Sequence, residues 1–500
     1  MNDSSVVELI SSIGGYLWGP PMVVTIIACG LFLTLKAKFF SFRYFGHAFK
    51  FTLFNLGDKE SKDRSHGEIS PFEAICVAVG GAVGVGAIGG VAAAIAVGGP
   101  GAVFWMWVWG FFGMSVKMVE VALASYYRSK DERGSYFGGP SYYMQKGLAW
   151  DKGWKIGIFL ALCFGFTFIA NAFSASQVFT ISEALHRSFN IPRIPVAAVY
   201  TAFIFYLIWR GVPRIAKFAS KAVPFMCLLY LIGGVILMAM NYEALPWVFK
   251  SIFVHAFTPM SAVGGFAGAG VMTIIRTGVA RSINSNEAGQ GSSPMIHAKA
   301  STVHPIRQGL WGSIEVFIDT MIVCTITALA VLSTGVWNSG LTAATLTISA
   351  FESGFGVIGV WFIGIITFLF GITTTTGWYS YYTSLVAHAF EKYPNLKYKA
   401  LFVFKLIFPW PNVIIVTLFV LTGHSANLFW AIIDILTVLP TFFNVIAISL
   451  LSGVFVKLLN DYKARYMGIG VVDPSFKVFY EEKIEYERKN NLPHVASDAQ

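Results

Sequence analysis

Apolar residues along this chain come in long unbroken runs, with neither the every-second-residue alternation of a half-buried strand nor the polar face of a helix on a soluble protein. The stretches 18–35, 71–98, 101–126, 157–182, 194–212, 218–240, 257–280, 308–334, 355–388, 399–422 and 427–457 are such runs. Crossing a hydrocarbon core takes about 20 mostly apolar residues. In lipid every backbone amide must bond within the protein, which only helices and closed barrels achieve, and continuous rather than alternating apolarity selects helices. The pattern predicts an all-α polytopic membrane protein of about 11 transmembrane helices. It divides the chain into an extra N-terminal transmembrane helix with a basic loop (1–70), a helical core (71–457) and a cytoplasmic tail (458–500). The opening residues lack a basic n-region and a small-residue cleavage site, so the first helix reads as a true span. Residues 136–148, with Tyr136, Tyr142 and Tyr143, read as a short interfacial helix, and the tail beyond about 470 as solvated and partly disordered.

Composition agrees. The 500 residues are 55% apolar and only 12% charged, far from the balance of a soluble chain. The net charge of +10 does not form the stripe a nucleic-acid binder needs, because the cations sit in loops between apolar runs. Those loops are unequal. Stretches 36–70 and 127–156 are rich in Lys and Arg, as is the tail, whereas 335–354 and 423–426 have none. The positive-inside rule then places the N-terminus outside and the C-terminus in the cytoplasm of a multi-pass protein of the cytoplasmic membrane. The five cysteines are scattered singly, without metal-ligand spacing, and read as small core residues.

Glycine interrupts two of the runs. The second span contains Gly80, Gly81, Gly84, Gly86, Gly89 and Gly90 near its middle, and the seventh contains Gly264, Gly265, Gly268 and Gly270. Each glycine weakens a helix by about 1 kcal/mol and frees backbone groups to turn toward a cavity. Two interrupted spans about five helices apart point to a transporter of inverted repeats, whose half-helix ends hold an anionic group and a cation. Close helix packing through small residues is the competing explanation. Residues 84–89 also match G-x-G-x-x-G, but no strand precedes them and no acidic residue follows about 20 positions on, which argues against a dinucleotide site.

From about residue 70 to 455 the sequence resembles the alanine/glycine:cation symporters. The likeness rests on Gly98-Gly99-Pro100-Gly101-Ala102-Val103-Phe104-Trp105-Met106-Trp107, Gly264-Gly265-Phe266, Ser285-Asn286-Glu287-Ala288-Gly289 with His297, Gln308-Gly309, Phe317-Ile318-Asp319-Thr320 and Gly377-Trp378. The resemblance implies a five-plus-five inverted repeat with broken helices 2 and 7, preceded by one extra helix. It also implies symport of a small amino acid such as alanine or glycine with sodium or a proton, and no cofactor. The substrate carboxylate would lie against Gly84, Val85, Gly86, Ala87 and Ile88, with Phe266 as a lid and Gly268 nearby. A cation would be held by carbonyls of Gly80 and Val83 and hydroxyls of Thr373 and Thr374, hard oxygen ligands of the kind a small cation needs. The family pattern at the break is typically V-G-T-G-N-I-x-G-V, whereas this chain has Val85 and Ala87 in place of the hydroxyl and the amide. That departure leaves open a divergent paralogue with another small metabolite as cargo.

Ionisable residues inside spans cost some 2.5–3.5 kcal/mol each on insertion scales and need a reason. Lys117 and Glu120, three apart, are expected to pair along one helix face. Asp319 and Asp434 must face the bundle interior, either relaying a proton or holding a neighbouring hydroxyl. Glu287, with Asn286 and Arg281, stands where a charge pair could close an inner gate. No H-E-x-x-H, G-x-S-x-G or P-loop lysine is present, which argues against an enzyme. A channel would ordinarily use a filter around an axis between subunits.

Overall fold

The computed structural model describes residues 3–53, 67–84, 86–258, 270–423 and 426–490, and these are mostly helix. An opening pair, α1 (Asp3–Leu17) and α2 (Pro20–Lys36), precedes the broken second span, α3 (Pro71–Ala82) and α4 (Gly86–Gly98). Helix α5 (Gly101–Tyr126) leads into a hairpin of β1 (Ser129–Lys130) and β2 (Tyr136–Phe137), then α6 (Ile156–Ala170), α7 (Ser176–Phe189), α8 (Arg193–Ile208), α9 (Val212–Met240) and α10 (Leu245–His255). The second half contains α11 (Val271–Asn286), α12 (Pro305–Ser333), α13 (Ala343–Phe355), α14 (Val357–Ala389), α15 (Pro394–Thr422), α16 (Ala426–Leu450), α17 (Ser452–Met467) and the tail helix α18 (Tyr480–Lys489).

Among the described residues, six helical stretches are long and apolar enough to cross a bilayer, or eight if each of two bent pairs counts as one crossing. Helices α2 and α8 are apolar but shorter. Sequence and structure agree closely where capping is strong. Ser70 and Glu73 form a reciprocal capping box at the start of α3, with Pro71 at the first helical position, and α5 opens directly after Gly99 and Pro100. The second span bends by 44° at its break. The predicted seventh span lies partly in 259–269, outside the described residues, and so do Val85, Phe266 and Gly268.

Several features differ from the expectation. The fourth span breaks at Ala175, whose φ of 53° is left-handed. The stretch 427–457 is not one helix, because α16 and α17 meet at a bend of 58°. Residues 136–148 begin in a strand before turning helical at Pro140. The tail is not solvated throughout: α18 packs its first residue, Tyr480, against Tyr127 at 5.1 Å between ring centroids.

The polarity of the molecule is inverted relative to a soluble protein. Phe166 is 78% exposed and Leu162, Val199, Phe225 and Ile358 each more than 60%, whereas Lys117, Glu120, Glu287, Glu315 and Asp319 are buried. So much exposed apolar surface is a liability in water and a requirement in lipid. Helix α5 packs closely on α12, where Gly309 and Gly312 allow the approach. A Cβ at Gly309 would lie 2.8 Å from the Met118 carbonyl, and one at Gly312 would lie 2.8 Å from Val121.

Candidate functional site

The site is built around the break at residues 83–85. Val83 leaves helical geometry with ψ 68°, so the carbonyls before it lose their partners along the helix. The Gly80 carbonyl instead accepts hydrogen bonds from Thr373 Oγ1 at 3.2 Å and Thr374 Oγ1 at 2.8 Å, both on α14. Gly84 presses on the same helix, for a Cβ there would sit 2.2 Å from Thr374 Oγ1. The structure thus brings together Gly80, Gly84, Thr373 and Thr374, which lie some 290 residues apart in sequence. Both hydroxyls also lie within donating distance of the Phe370 carbonyl of their own helix, at 2.8 and 2.9 Å, so each oxygen bridges helix and break. Val83 is fully buried beside this cluster in sequence, with no hydroxyl contact of its own among the described bonds.

Beyond the break, Ala87 and Ile88 are buried, and Thr347 of α13 donates to the Ile88 carbonyl at 2.9 Å. Helix α11 closes the other side: a Cβ at Gly86 would lie 3.1 Å from the Asn284 carbonyl oxygen and 3.3 Å from Ser285 Cα. Two polar atoms here went unnoticed in the sequence. Asn284 Oδ1 and Tyr381 Oη are buried without a hydrogen-bond partner among the described residues, and Tyr381 Oη lies 2.4 Å from where a Gly81 Cβ would be. Buried orphan acceptors and donors are rare in folded proteins, and around a break they leave polar capacity free for a bound molecule. No signal in the sequence marks either residue, because each matters only through a contact between distant helices.

The SNEAG block forms the wall beneath. Asn286 ends α11 and Glu287 follows with φ 56°. Its carboxylate accepts from Trp378 Nε1 at 2.8 Å and from the Ser292 hydroxyl. Asn286 Nδ2 donates to Thr320 Oγ1 at 2.9 Å and Thr320 donates to Asp319 Oδ2 at 2.9 Å, while Ser285 donates to Asp319 Oδ1 at 2.9 Å. Asp319 therefore holds neighbouring hydroxyls. Of the expected gate, Asn286 and Glu287 are buried in this network and Arg281 stands more than a turn earlier on α11, partly exposed. The expected Lys117–Glu120 pair does not form. Lys117 instead faces Glu315 of α12 at 3.5 Å and donates to Ser293 at 2.9 Å, and Glu120 accepts from Asn444 of α16. The side chain of Asp434 lies outside the described residues.

A cluster of three or more His, Cys, Asp or Glu able to hold a metal is absent among the described residues. The oxygens at the break are backbone carbonyls and hydroxyls, the set that suits a small hard cation as cargo.

Comparison with known proteins supplies the context. A family model described as the sodium:alanine symporter family matches residues 3–476. The chain is 34% identical over 472 residues to the sodium/alanine symporter AgcS of Methanococcus maripaludis, covering 91% of this chain and 98% of that protein. It is 34% identical over 473 residues to the probable sodium/glutamine symporter GlnT of Bacillus subtilis, covering 94% and 92%. Among solved structures, that of MhsT in complex with L-phenylalanine superposes with a TM-score of 0.57 at 13% identity, over 80% of this chain and 97% of that one.

Proposed function

The chain belongs to the sodium:alanine symporter family, a transporter and not an enzyme, and from that premise we propose that it carries a small neutral amino acid, alanine or glycine, into the cell with sodium. Cation-coupled amino-acid symport follows from the family. The observation that carries the finer reading is the Gly80 carbonyl facing the Thr373 and Thr374 hydroxyls across the break. A sodium ion there would take carbonyl oxygens of Gly80 and Val83 together with both hydroxyl oxygens, whose protons would point to the Phe370 carbonyl. The carboxylate of the amino acid would lie along the backbone from Gly84 to Ile88, neutralised by the adjacent cation and the free amides at the start of α4. Its ammonium group would find Asn284 Oδ1, a buried acceptor on α11 with no partner among the described residues. Phe266 and Gly268 would complete the outer wall. Eleven spans, an outside N-terminus, a cytoplasmic C-terminus and the five-plus-five repeat complete the reading.

A small side chain is favoured because the walls of the break are already occupied, by Thr374 against Gly84, by Asn284 and Ser285 against Gly86 and by Ala344 against Gly89. The test is uptake of labelled alanine, glycine and glutamine into proteoliposomes under an imposed sodium or proton gradient. Saturable alanine or glycine uptake driven by sodium alone is expected. Uptake driven only by the proton gradient would remove sodium, and preference for glutamine would remove the small-substrate assignment.

A further inference from the structure

The break at residues 83–85 makes α3 a half-helix that can pivot about it, provided its far end is free. That end is fastened. Glu68 N donates to the Lys299 carbonyl at 2.9 Å and Ser301 N donates to the Ile69 carbonyl at 2.8 Å, so residues 68–69 pair like a short parallel strand with 299–301. Gly67 lies so close to the same loop that a Cβ would sit 2.2 Å from Ser301 N and 2.5 Å from Ala300 C. The Glu68 carboxylate stands 3.5 Å from Lys299 Nζ and accepts from Tyr136 N at 2.6 Å, and Lys299 Nζ donates to the Tyr136 carbonyl at 2.8 Å. Arg128 Nη1 donates to the Ala300 carbonyl at 2.9 Å from the other side. Three segments distant in sequence therefore meet at one point: the entry to α3, the loop after the SNEAG block and the hairpin after α5.

We propose that Gly67, Glu68 and Lys299 form the latch of the inner gate, holding α3 against the loop 299–301 until release lets α3 swing about the break and open the site to the cytoplasm. The proposal rests on the transport reading above and replaces Arg281, Asn286 and Glu287 as the gating group. Because α3 (Pro71–Ala82) acts as a rigid arm pivoting at the break, its displacement grows toward the latch end, so contacts at Gly67 and Glu68 must part before α3 can swing. Lys299 is 1% exposed, and burial lowers the pKa of its ammonium, so the charge is held in place by the latch partners and not by water.

Cys76, on α3 and 4% exposed, reports the swing without any substrate. In protein carrying Cys76 as its only cysteine, the rate of alkylation by a membrane-permeant maleimide is measured in membranes. Glu68→Gln is expected to raise that rate about tenfold, the shift that loss of one charge-assisted hydrogen bond produces in a two-state equilibrium. Gly67→Ala should act in the same direction by forcing the loop away. A second reporter, Cys324 alone on α12, should react at an unchanged rate. Unchanged Cys76 reactivity in both variants overturns the latch, and so does equal acceleration at Cys324, which would signal general loosening. Because the labelling needs no cargo, a failure to carry any amino acid would sink the function and leave this result standing.

Discussion

Thr374 touches the broken helix at Gly80 and Gly84, where the proposed cation would bind, so its hydroxyl and its shape can be separated. Thr374→Val keeps the branch packed against Gly84 and removes the donor to Gly80. The sodium concentration giving half-maximal uptake is expected to rise about tenfold, as for loss of one ligand-like hydrogen bond, with little change in the maximal rate. Thr376→Val is the control, since its hydroxyl bonds only the Ile372 and Thr373 carbonyls of its own helix. An equal effect of the two substitutions, read from the sodium dependence of uptake, would disconnect Thr374 from the ion. Asn284 is tested in the same way on the other ligand. Asn284→Leu should raise KM for the amino acid about tenfold while leaving sodium dependence alone, because a buried acceptor for the ammonium group is lost. Glu287, expected from the sequence at an inner gate, accepts from both Trp378 and Ser292, and Glu287→Gln, which replaces one charged acceptor oxygen by an amide, should cost about 1–3 kcal/mol of stability in a thermal melt.

Between elements, the buried charges decide more than the apolar packing. Lys117 and Glu120 show why local spacing misleads. Three residues apart on α5, they could meet, yet each finds a better-placed partner on another helix, Glu315 on α12 and Asn444 on α16. An i,i+3 pair is worth only a few tenths of a kcal/mol, whereas a charge in lipid without tertiary partners is far costlier, so the fold overrides the helix. Lys117→Met should therefore lower stability by about 3–5 kcal/mol, leaving Glu315 with only His297 and Ser293, and Glu315→Gln in addition should recover part of the loss. Melting temperatures of the two variants in detergent decide this; a double variant no better than the single would show that the pair holds α5 and α12 through its geometry and not its charge. The same contrast explains what was legible. Runs such as 101–126 and the glycine break at 80–90 are local signals, and the structure has helix and break there. Helices α1, α10, α13 and α18 went unread because they are short, amphipathic or charged. The left-handed Ala175 that splits the fourth span carries no glycine to announce it. At the site, Gly80, Thr373 and Thr374 could be named from the family pattern, but Asn284, Tyr381 and the latch arise only from contacts between distant segments.

At the scale of the whole molecule, the tail helix joins the charged loop after α5 to the proposed latch. The family match stops at residue 476, and α18 begins at Tyr480, so this contact lies beyond the shared region. Phe479 stacks on the Arg128 guanidinium at 4.5 Å, opposite the Tyr136 ring at the same distance, and Arg128 is the residue that bonds the Ala300 carbonyl. Burial lowers the pKa of that guanidinium to about 10, still well above physiological pH, so it remains a cation between two rings. Glu481 accepts from Lys130 N at 2.8 Å, and Lys483 pairs with Asp151 at 2.7 Å, fixing both ends of the loop that follows α5. The tail thus backs the hairpin that supplies Tyr136 to the latch, from the face opposite α3. Deleting residues 479–500 should leave the bundle folded and uptake present, because the described tail contacts, with Tyr127, Arg128, Lys130 and Asp151, gather at the end of α5 and the loop that follows it. It should nevertheless raise the alkylation rate of Cys76 by about two- to threefold, less than Glu68→Gln, since the deletion removes support for the latch and not the latch itself. The double change, deletion with Glu68→Gln, should be no faster than Glu68→Gln alone, for a support has nothing to hold once its latch is open. Additive acceleration would instead mean that the tail restrains α3 by a separate route.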